Sequence, residues 1–299
     1  MNRFIAGAAV VALIAALAAP LSAQAHRAWI LPSTTTLSGT DGWVGFDAGI
    51  SNGVFDADHA AMRLDNLRAT APDGSNVPLE HPMQGQWRST FDVHLTQPGT
   101  YRVGSVSQTA NATWTLNGTP GRWRGPATEL AANIPAGATD VVSAINSNRL
   151  ETFVTLGEPT TTVFQPTGQG IEMVPTTHPS ELAVGEAATF QLLKDGAPLA
   201  NADVTIVRGG LKYRDAPEDI AVKTGADGKF SVTWPEAGMY WINTVNRPGG
   251  APQREGGEGP RAEGPRPEGA PAGGPGGGRG MAGPPTPSAA YTAVVEVLP

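Results

Sequence analysis

The amino-acid sequence predicts an all-β protein made of two β-sandwich domains. Short runs in which apolar and polar residues alternate recur along the chain, as in strands with one buried face. The chain also has 38 glycines and 27 prolines, many of them in turn-forming clusters between those runs. Long stretches with the 3.6-residue apolar period of an amphipathic helix are scarce. We therefore expect strands joined by turns throughout.

The first 25 residues have the organisation of a signal peptide. Arg3 precedes an apolar run over 5–19, and Ala23-Gln24-Ala25 places small residues at positions −3 and −1 of a cleavage site. The apolar run is short for a segment that spans a bilayer. We expect cleavage after Ala25, which leaves 274 of the 299 residues, a mature chain that begins at His26, and a periplasmic location.

The N-terminal domain is predicted to cover residues 26–157. In the predicted strand 90–95, Phe91, Val93 and Leu95 share one face while Asp92 and His94 share the other. A proline in the first turn favours a short helix over 126–132. The remaining predicted strands in this domain are 29–32, 42–50, 62–70, 101–103, 112–116 and 150–156.

The C-terminal domain is predicted to cover residues 158–299. The close succession of strands and turns predicts an immunoglobulin-like or transthyretin-like sandwich, with strands over 171–174, 187–193, 203–207, 230–234, 239–242 and 291–298. Residues 247–287 are rich in glycine, proline, alanine, glutamate and arginine and have almost no large apolar side chain, which predicts a disordered insert. We expect this insert to be the loop of a hairpin whose last strand returns to the second domain.

Composition excludes several classes of function. A net charge of −7 argues against nucleic-acid binding, which favours a basic face. The chain has no cysteine, so it forms no disulfide and carries no lipid on a cysteine. Outside the signal peptide no apolar run is long enough to span a membrane. Catalytic and nucleotide-binding motifs of known type are missing, and the sequence predicts a protein that is not an enzyme.

The candidate metal ligands are three of the five histidines: His26, His59 and His94. After cleavage His26 carries a free amine as well as its imidazole, and the amine and Nδ1 can close a chelate ring on a divalent metal ion, which suits Cu(II) or Ni(II). His59 follows Asp56 and Asp58 in a loop, where it is either a ligand or a solvated side chain. His94 shares a sheet face with Asp92, which either orients its imidazole or only makes that face polar. No two histidines have a short ligand spacing, so the fold must assemble any site.

Several segments resemble the DUF4198 family. Its opening motif is Ala-His-x-x-Trp-(Leu/Ile)-x-Pro, and residues 25–32 read Ala-His-Arg-Ala-Trp-Ile-Leu-Pro. Residues 170–179 resemble its interdomain segment, and 184–199 resemble the first hairpin of its second domain. Residues 224–234 and 238–241 resemble its last strands. The resemblance implies an exported β-rich protein associated with nickel or cobalt uptake, with His26 at the position of the family's opening histidine. The insert 247–287 departs from the family pattern.

These observations favour a periplasmic transition-metal-binding protein that supports nickel, cobalt or copper uptake and passes the ion to a membrane importer. A first alternative is a binding or adhesion module that engages a glycan or a protein rather than a metal. A second alternative is a copper oxidase built on the N-terminal histidine, for which the sequence offers no clear second histidine.

Overall fold

The computed structural model describes residues 26–216, 218–247 and 285–299, and within them the protein is all-β. The predicted signal peptide, and the predicted insert apart from its two ends, lie outside the described residues. The described part of the chain contains no helix long and apolar enough to cross a membrane. Its helical segments are single 3₁₀ turns at Ala127–Glu129, Ala131–Asn133, Thr162–Phe164, Pro179–Glu181 and Leu211–Tyr213.

Eleven strands form in the first half of the chain. They are β1 Arg27–Pro32, β2 Thr36–Leu37, β3 Gly42–Ser51, β4 Ala60–Ala61, β5 Arg68–Thr70, β6 Asn76–Val77, β7 Glu80–Gln84, β8 Ser89–Leu95, β9 Gly99–Leu116, β10 Thr119–Pro126 and β11 Thr139–Leu156. Eight strands follow in the described parts of the second half. They are β12 Ile171–Pro175, β13 Ala187–Lys194, β14 Ala197–Pro198, β15 Asp203–Arg208, β16 Ile220–Lys223, β17 Lys229–Thr233, β18 Gly238–Asn246 and β19 Ser288–Val297.

The described strands form three sheets. Sheet A has the order β1-β3-β8-β7, with β4 also paired to β3. Sheet B has the order β16-β15-β18-β19-β11-β9-β5-β6, with β10 on β9 and β2 on β11. Sheet C has the order β12-β13-β14, with β17 on β13. Sheet B takes strands from both halves of the chain, which join where β11 and β19 run parallel from Asn146↔Ser288 to Thr152↔Val294.

The first sandwich packs sheet A against the β5, β9 and β11 part of sheet B. Alternation sends Phe91, Val93 and Leu95 of β8 into this core, as the sequence predicts, and they meet Tyr101 and Val103 of β9. All five side chains are almost fully buried. Burial of a side chain of this size stabilises the fold by about 1.5–3 kcal/mol, so these rows hold the two sheets face to face.

The second sandwich has an immunoglobulin-type arrangement. Strands β12, β13 and β17 form one layer, and β16, β15, β18 and β19 form the other. Tyr240, near the start of β18, donates its hydroxyl to the carbonyl of Glu236 at 2.8 Å, which is the tyrosine corner of such sandwiches. Tyr101 makes the same contact with the carbonyl of Gln97 at 2.9 Å in the first sandwich. The predicted hairpin of the last strand is confirmed, because β19 pairs antiparallel with β18.

Three local predictions were wrong. Residues 101–103 and 112–116 belong to one strand, β9, which pairs with β11 from Gly99↔Leu156 to Thr115↔Thr139. The predicted helix 126–132 consists of two 3₁₀ turns. Only Arg68–Thr70 of the predicted strand 62–70 is extended and paired, because Leu67 N–H bonds back to the carbonyl of Leu64 and forms a turn.

A third apolar cluster joins the two sandwiches. Trp29 of β1 packs there with Val207, Trp241 and Val294 of the second sandwich. The indole N–H of Trp29 donates to Ser51 Oγ at 2.7 Å, and that of Trp241 donates to the carbonyl of Ala28 at 3.0 Å. Strand β1 is therefore fixed on both sides, immediately after the predicted start of the mature chain.

Candidate functional site

His26 and His59 lie side by side at one end of sheet A. Ile50 of β3 pairs with Ala28 of β1 on one side and with Ala60 of β4 on the other. His26 lies two residues before Ala28 and His59 one residue before Ala60, so the register brings the two side chains together across the end of β3. Their ring centroids are 3.6 Å apart and their planes differ by 24°, which is a stacked pair.

Packing around Arg27 fixes the strand that carries His26. The Arg27 guanidinium lies 5.4 Å from the centre of the Trp241 ring and 3.7 Å from the Asp219 carboxylate. Together with the buried Trp29, these contacts hold the backbone that follows His26. The His26 side chain itself is exposed.

The loop that carries His59 is also anchored. Asp58 accepts the backbone N–H of Asn52 at 2.9 Å, which closes the loop after β3. Phe55 sits in the left-handed region with a φ of 65° and packs edge-on against Trp29, with 5.9 Å between ring centroids. Asp56 lies 3.6 Å from the Lys212 ammonium. Both carboxylates that precede His59 thus have partners of their own.

Hydrogen bonding separates these two histidines from the other three. The ring nitrogens of His26 and His59 have no hydrogen-bond partner among the described residues. His81 Nδ1 lies 3.0 Å from Asp92 Oδ2, and His94 Nε2 lies 2.9 Å from Asp41 Oδ2. Both ring nitrogens of His178 are engaged. The stacked pair therefore offers nitrogen lone pairs that no described neighbour occupies.

His94 lies far from the stacked pair. It pairs in register with Trp43 on β3 and stacks on that indole with 4.2 Å between centroids. Trp43 and Ser51 are eight residues apart on β3, about 26 Å at 3.3 Å per residue. The carboxylate beside its ring is Asp41, whereas Asp92, which the sequence suggested for that role, binds His81. The structure thus brings together two of the three predicted metal ligands and separates His94 from them.

His178 faces the first sandwich rather than solvent alone. Its Nε2 lies 3.1 Å from Thr100 Oγ1 and 3.2 Å from the carbonyl of Thr160. Its Nδ1 accepts the backbone N–H of Ser180 at 3.1 Å, which leaves the proton on Nε2. Burial lowers the pKa of this histidine, in keeping with a neutral ring between the two sandwiches.

Two imidazoles alone are a small ligand set. The described residues contain no group of three or more histidine, cysteine, aspartate or glutamate side chains placed to hold a metal. A third nitrogen becomes available only if the chain is cut before His26, when the terminal amine and the His26 ring share one residue. The stacked rings must also turn for their nitrogens to point at one ion, a rotation that exposed side chains make readily.

Sequence reasoning selected His26 and His59 separately and missed their contact. They are 33 positions apart, and only the pairing of β1 and β4 with the same strand brings them together. The hydrophobic alternation of β1 and β3 was enough to predict both of these as strands. The two-residue strand β4 had no pattern long enough to recognise.

Comparisons with known proteins identify the family. The model of the family described as "Domain of unknown function (DUF4198)" matches residues 23–247. A search of curated proteins finds no match. Among solved structures, the "D0-D1 domain of Intimin" is 12% identical, with 72% of this chain and 88% of that chain covered and a TM-score of 0.19. That TM-score is too low to support an argument about function. Because the family model covers most of the chain, the protein belongs to the DUF4198 family.

Proposed function

We propose that the protein binds a divalent transition-metal ion through His26 and His59 after residues 1–25 have been removed. The observation that carries this proposal is the stack of two imidazoles whose nitrogens have no partner among the described residues. Neutral imidazole and amine nitrogens suit Ni(II), Co(II) and Cu(II), and the amine and Nδ1 of His26 form one chelate ring. His59 supplies the third nitrogen.

The same proposal places the protein in the periplasm, where it passes the ion to a membrane importer. The signal-like sequence of residues 1–25 and the Ala-x-Ala motif before His26 support this location. An exposed site suits transfer, because a partner can reach the ion without opening the fold. The resemblance to a family associated with nickel or cobalt uptake supports the same role.

A copper oxidase is the second candidate, and the same stacked pair favours it. A brace of amine, Nδ1 and a second imidazole needs a second histidine, and His59 stacks on His26, from where its ring can turn toward the same ion. Copper-loaded protein that consumes oxygen in the presence of a reductant, above the rate of free copper, distinguishes this candidate from a carrier.

Titration of the mature protein with Ni(II) and Cu(II) tests the metal proposal. His26→Ala and His59→Ala should each weaken binding at least tenfold, about 1.4 kcal/mol. His94→Ala is the matched control and should leave affinity unchanged, since Asp41 holds its Nε2 at the far end of β3. Unchanged affinity in both test variants would contradict the site and favour the glycan- or protein-binding alternative.

A further inference from the structure

A second candidate site lies on the face of sheet B that is turned away from the first core. Strands β5, β9 and β11 surround a cavity of about 370 Å³ there. Arg68, Arg102 and Arg149 line it, together with Gly104 and Glu151. It shares no residue with the His26–His59 pair.

The cavity exists because a glycine interrupts a row of long side chains. Arg68, Gly104 and Glu151 are register partners across three neighbouring strands, so they occupy one row on this face. A Cβ on Gly104 would lie 2.4 Å from the carbonyl oxygen of Leu150 and 2.8 Å from the Cβ of Glu151. No side chain fits at this position without movement of the backbone, and the space between the arginines stays open.

Arg149 is the most deeply buried of the three arginines. It is 4% exposed, and its Nη2 donates to Glu172 Oε1 at 2.9 Å. Its Nε is buried and has no hydrogen-bond partner among the described residues. A buried donor left without an acceptor is destabilising and is rare in folded proteins. Hydrogen bonds within the described residues therefore do not use all the donors of Arg149.

Arg68 and Arg102 also have N–H donors that make no hydrogen bond within the described residues. One terminal nitrogen of Arg68 is used by the carbonyls of Asp65 and Leu67, at 3.0 and 2.7 Å. One terminal nitrogen of Arg102 donates to the carbonyl of Val163 at 3.1 Å. Within the described part of the chain, the remaining nitrogens of these two guanidinium groups have no partner. Carbonyl contacts orient both groups, and neither group forms an ion pair with a carboxylate among the described residues.

Charge decides the class of ligand. Three guanidinium groups line the cavity against one carboxylate, Glu151, so positive charge is in excess there. The excess persists when Glu172, the ion-pair partner of Arg149, is counted as well. The whole chain carries −7, so this positive patch is a local feature of an acidic protein. The excess positive charge disfavours a cation, and an oxyanion with two or more oxygens matches the forked geometry of arginine.

We propose that the cavity around Gly104 binds a small oxyanion, a carboxylate, phosphate or sulfate group, held by Arg68, Arg102 and Arg149. The group is either a free ion or the charged end of a larger ligand that extends from the open side of the cavity. This site is independent of the proposed metal function, and each proposal survives the failure of the other.

Isothermal titration of the full protein with sodium phosphate, sodium sulfate and sodium acetate tests the proposal, with sodium chloride at matched ionic strength as the reference. Saturable binding of at least one oxyanion is expected. Phosphate or sulfate in preference to acetate identifies a tetrahedral group, and the reverse identifies a carboxylate. Arg68→Gln should raise the Kd at least fivefold. Because Arg68 is exposed, this substitution spares the core.

Two further variants test whether the oxyanion binds in this cavity. Arg102→Gln should also weaken binding. Arg63→Gln should leave binding unchanged, since Arg63 is exposed, pairs with Asp65 and does not line the cavity. The proposal is overturned if none of the three oxyanions binds. It is equally overturned if binding is the same in Arg68→Gln, Arg102→Gln and the unaltered protein.

Discussion

Five histidines lie among the described residues, and they differ in whether their ring nitrogens have hydrogen-bond partners. His178 is held neutral between the sandwiches, and His81 and His94 are each paired with an aspartate. Only His26 and His59 have ring nitrogens that no described residue engages, and these two rings touch. Sequence reasoning identified both as candidate ligands, because their residue type and their neighbours are visible in the chain. It did not identify the partner of His94, because Asp41 contacts that ring from the start of the neighbouring strand β3, whereas Asp92 contacts His81.

Glu151 and Glu172 are buried carboxyl groups whose pKa values are shifted by their surroundings. Burial raises the pKa of Glu151, against the opposing effects of Arg149, Arg102 and the hydroxyl of Tyr291. Burial alone would also raise the pKa of Glu172, but hydrogen bonds from Thr167, the charge of Arg149 and the N–H of Gly168 lower it overall. Two carboxylates on one arginine are thus shifted in opposite directions.

These shifts predict opposite pH dependences of stability. A carboxyl whose pKa is raised by folding stabilises the fold at low pH, and that contribution is lost as pH rises through its folded pKa. The free energy of unfolding of Glu151→Gln, relative to the unaltered protein, should therefore increase from pH 4 to pH 7. For Glu172→Gln it should increase as pH falls below the ordinary glutamate pKa. Urea unfolding from about pH 3 to pH 7 measures both effects, and parallel curves for the two variants would contradict the assignment.

Strands longer than three residues with clear alternation were predictable from sequence, as β3, β8, β13 and β17 show. The full length of β9 and of β11 was not predictable from the sequence. Their outer halves are rich in alanine, serine, asparagine and threonine. The buried residues there are Ala110, Ala112 and Ala144, whereas the larger Val141, Val142 and Ile145 are exposed. Small and polar residues give little hydrophobic contrast between the two faces, so pairing with β10 and with each other defines these segments rather than their own pattern.

The two tyrosine corners are testable at the scale of the element. Tyr101 donates to the carbonyl of Gln97 and accepts its N–H at 2.8 Å, whereas Tyr240 makes one such bond. Tyr240→Phe should destabilise by about 1 kcal/mol and Tyr101→Phe by about 1–2 kcal/mol, since each buried hydrogen bond contributes about 0.5–1.5 kcal/mol. Tyr213→Phe is the control, because Tyr213 is 82% exposed. Denaturant unfolding measures all three, and equal stabilities would show that the corners contribute nothing.

At the scale of the whole molecule, sheet B makes the two sandwiches one continuous structure. Strands β11 and β19 pair in parallel, and Thr152 Oγ1 donates to the carbonyl of Val294 at 2.8 Å. The sequence alone could not reveal this pairing, since β19 begins more than 130 residues after β11 ends. The predicted domain boundary at 157/158 falls just after β11 and stays a prediction.

Because β18 pairs with β19, the segment between them can be shortened to test whether it contributes to stability. Asn246 and Ala289 are register partners, so the hairpin is closed by described residues on both sides. Replacing residues 250–284 with a short Gly/Ser connector should leave stability equal or raise it by about 1 kcal/mol, because a shorter loop loses less closure entropy. Thermal unfolding measures the effect, with a chain in which residues 250–284 are scrambled as the control. A large loss of stability in either chain would show that the segment packs in a sequence-specific way.

We propose that a chain beginning at His26 binds a metal ion through its terminal amine and two imidazoles. Titration with Ni(II) and Cu(II) should therefore compare that chain with one carrying a single alanine before His26, whose extra residue turns the amine of His26 into an amide. We expect at least tenfold tighter binding by the chain that begins at His26, about 1.4 kcal/mol, with release of protons that compete for the same nitrogens. Equal affinity in the two chains would contradict the claim.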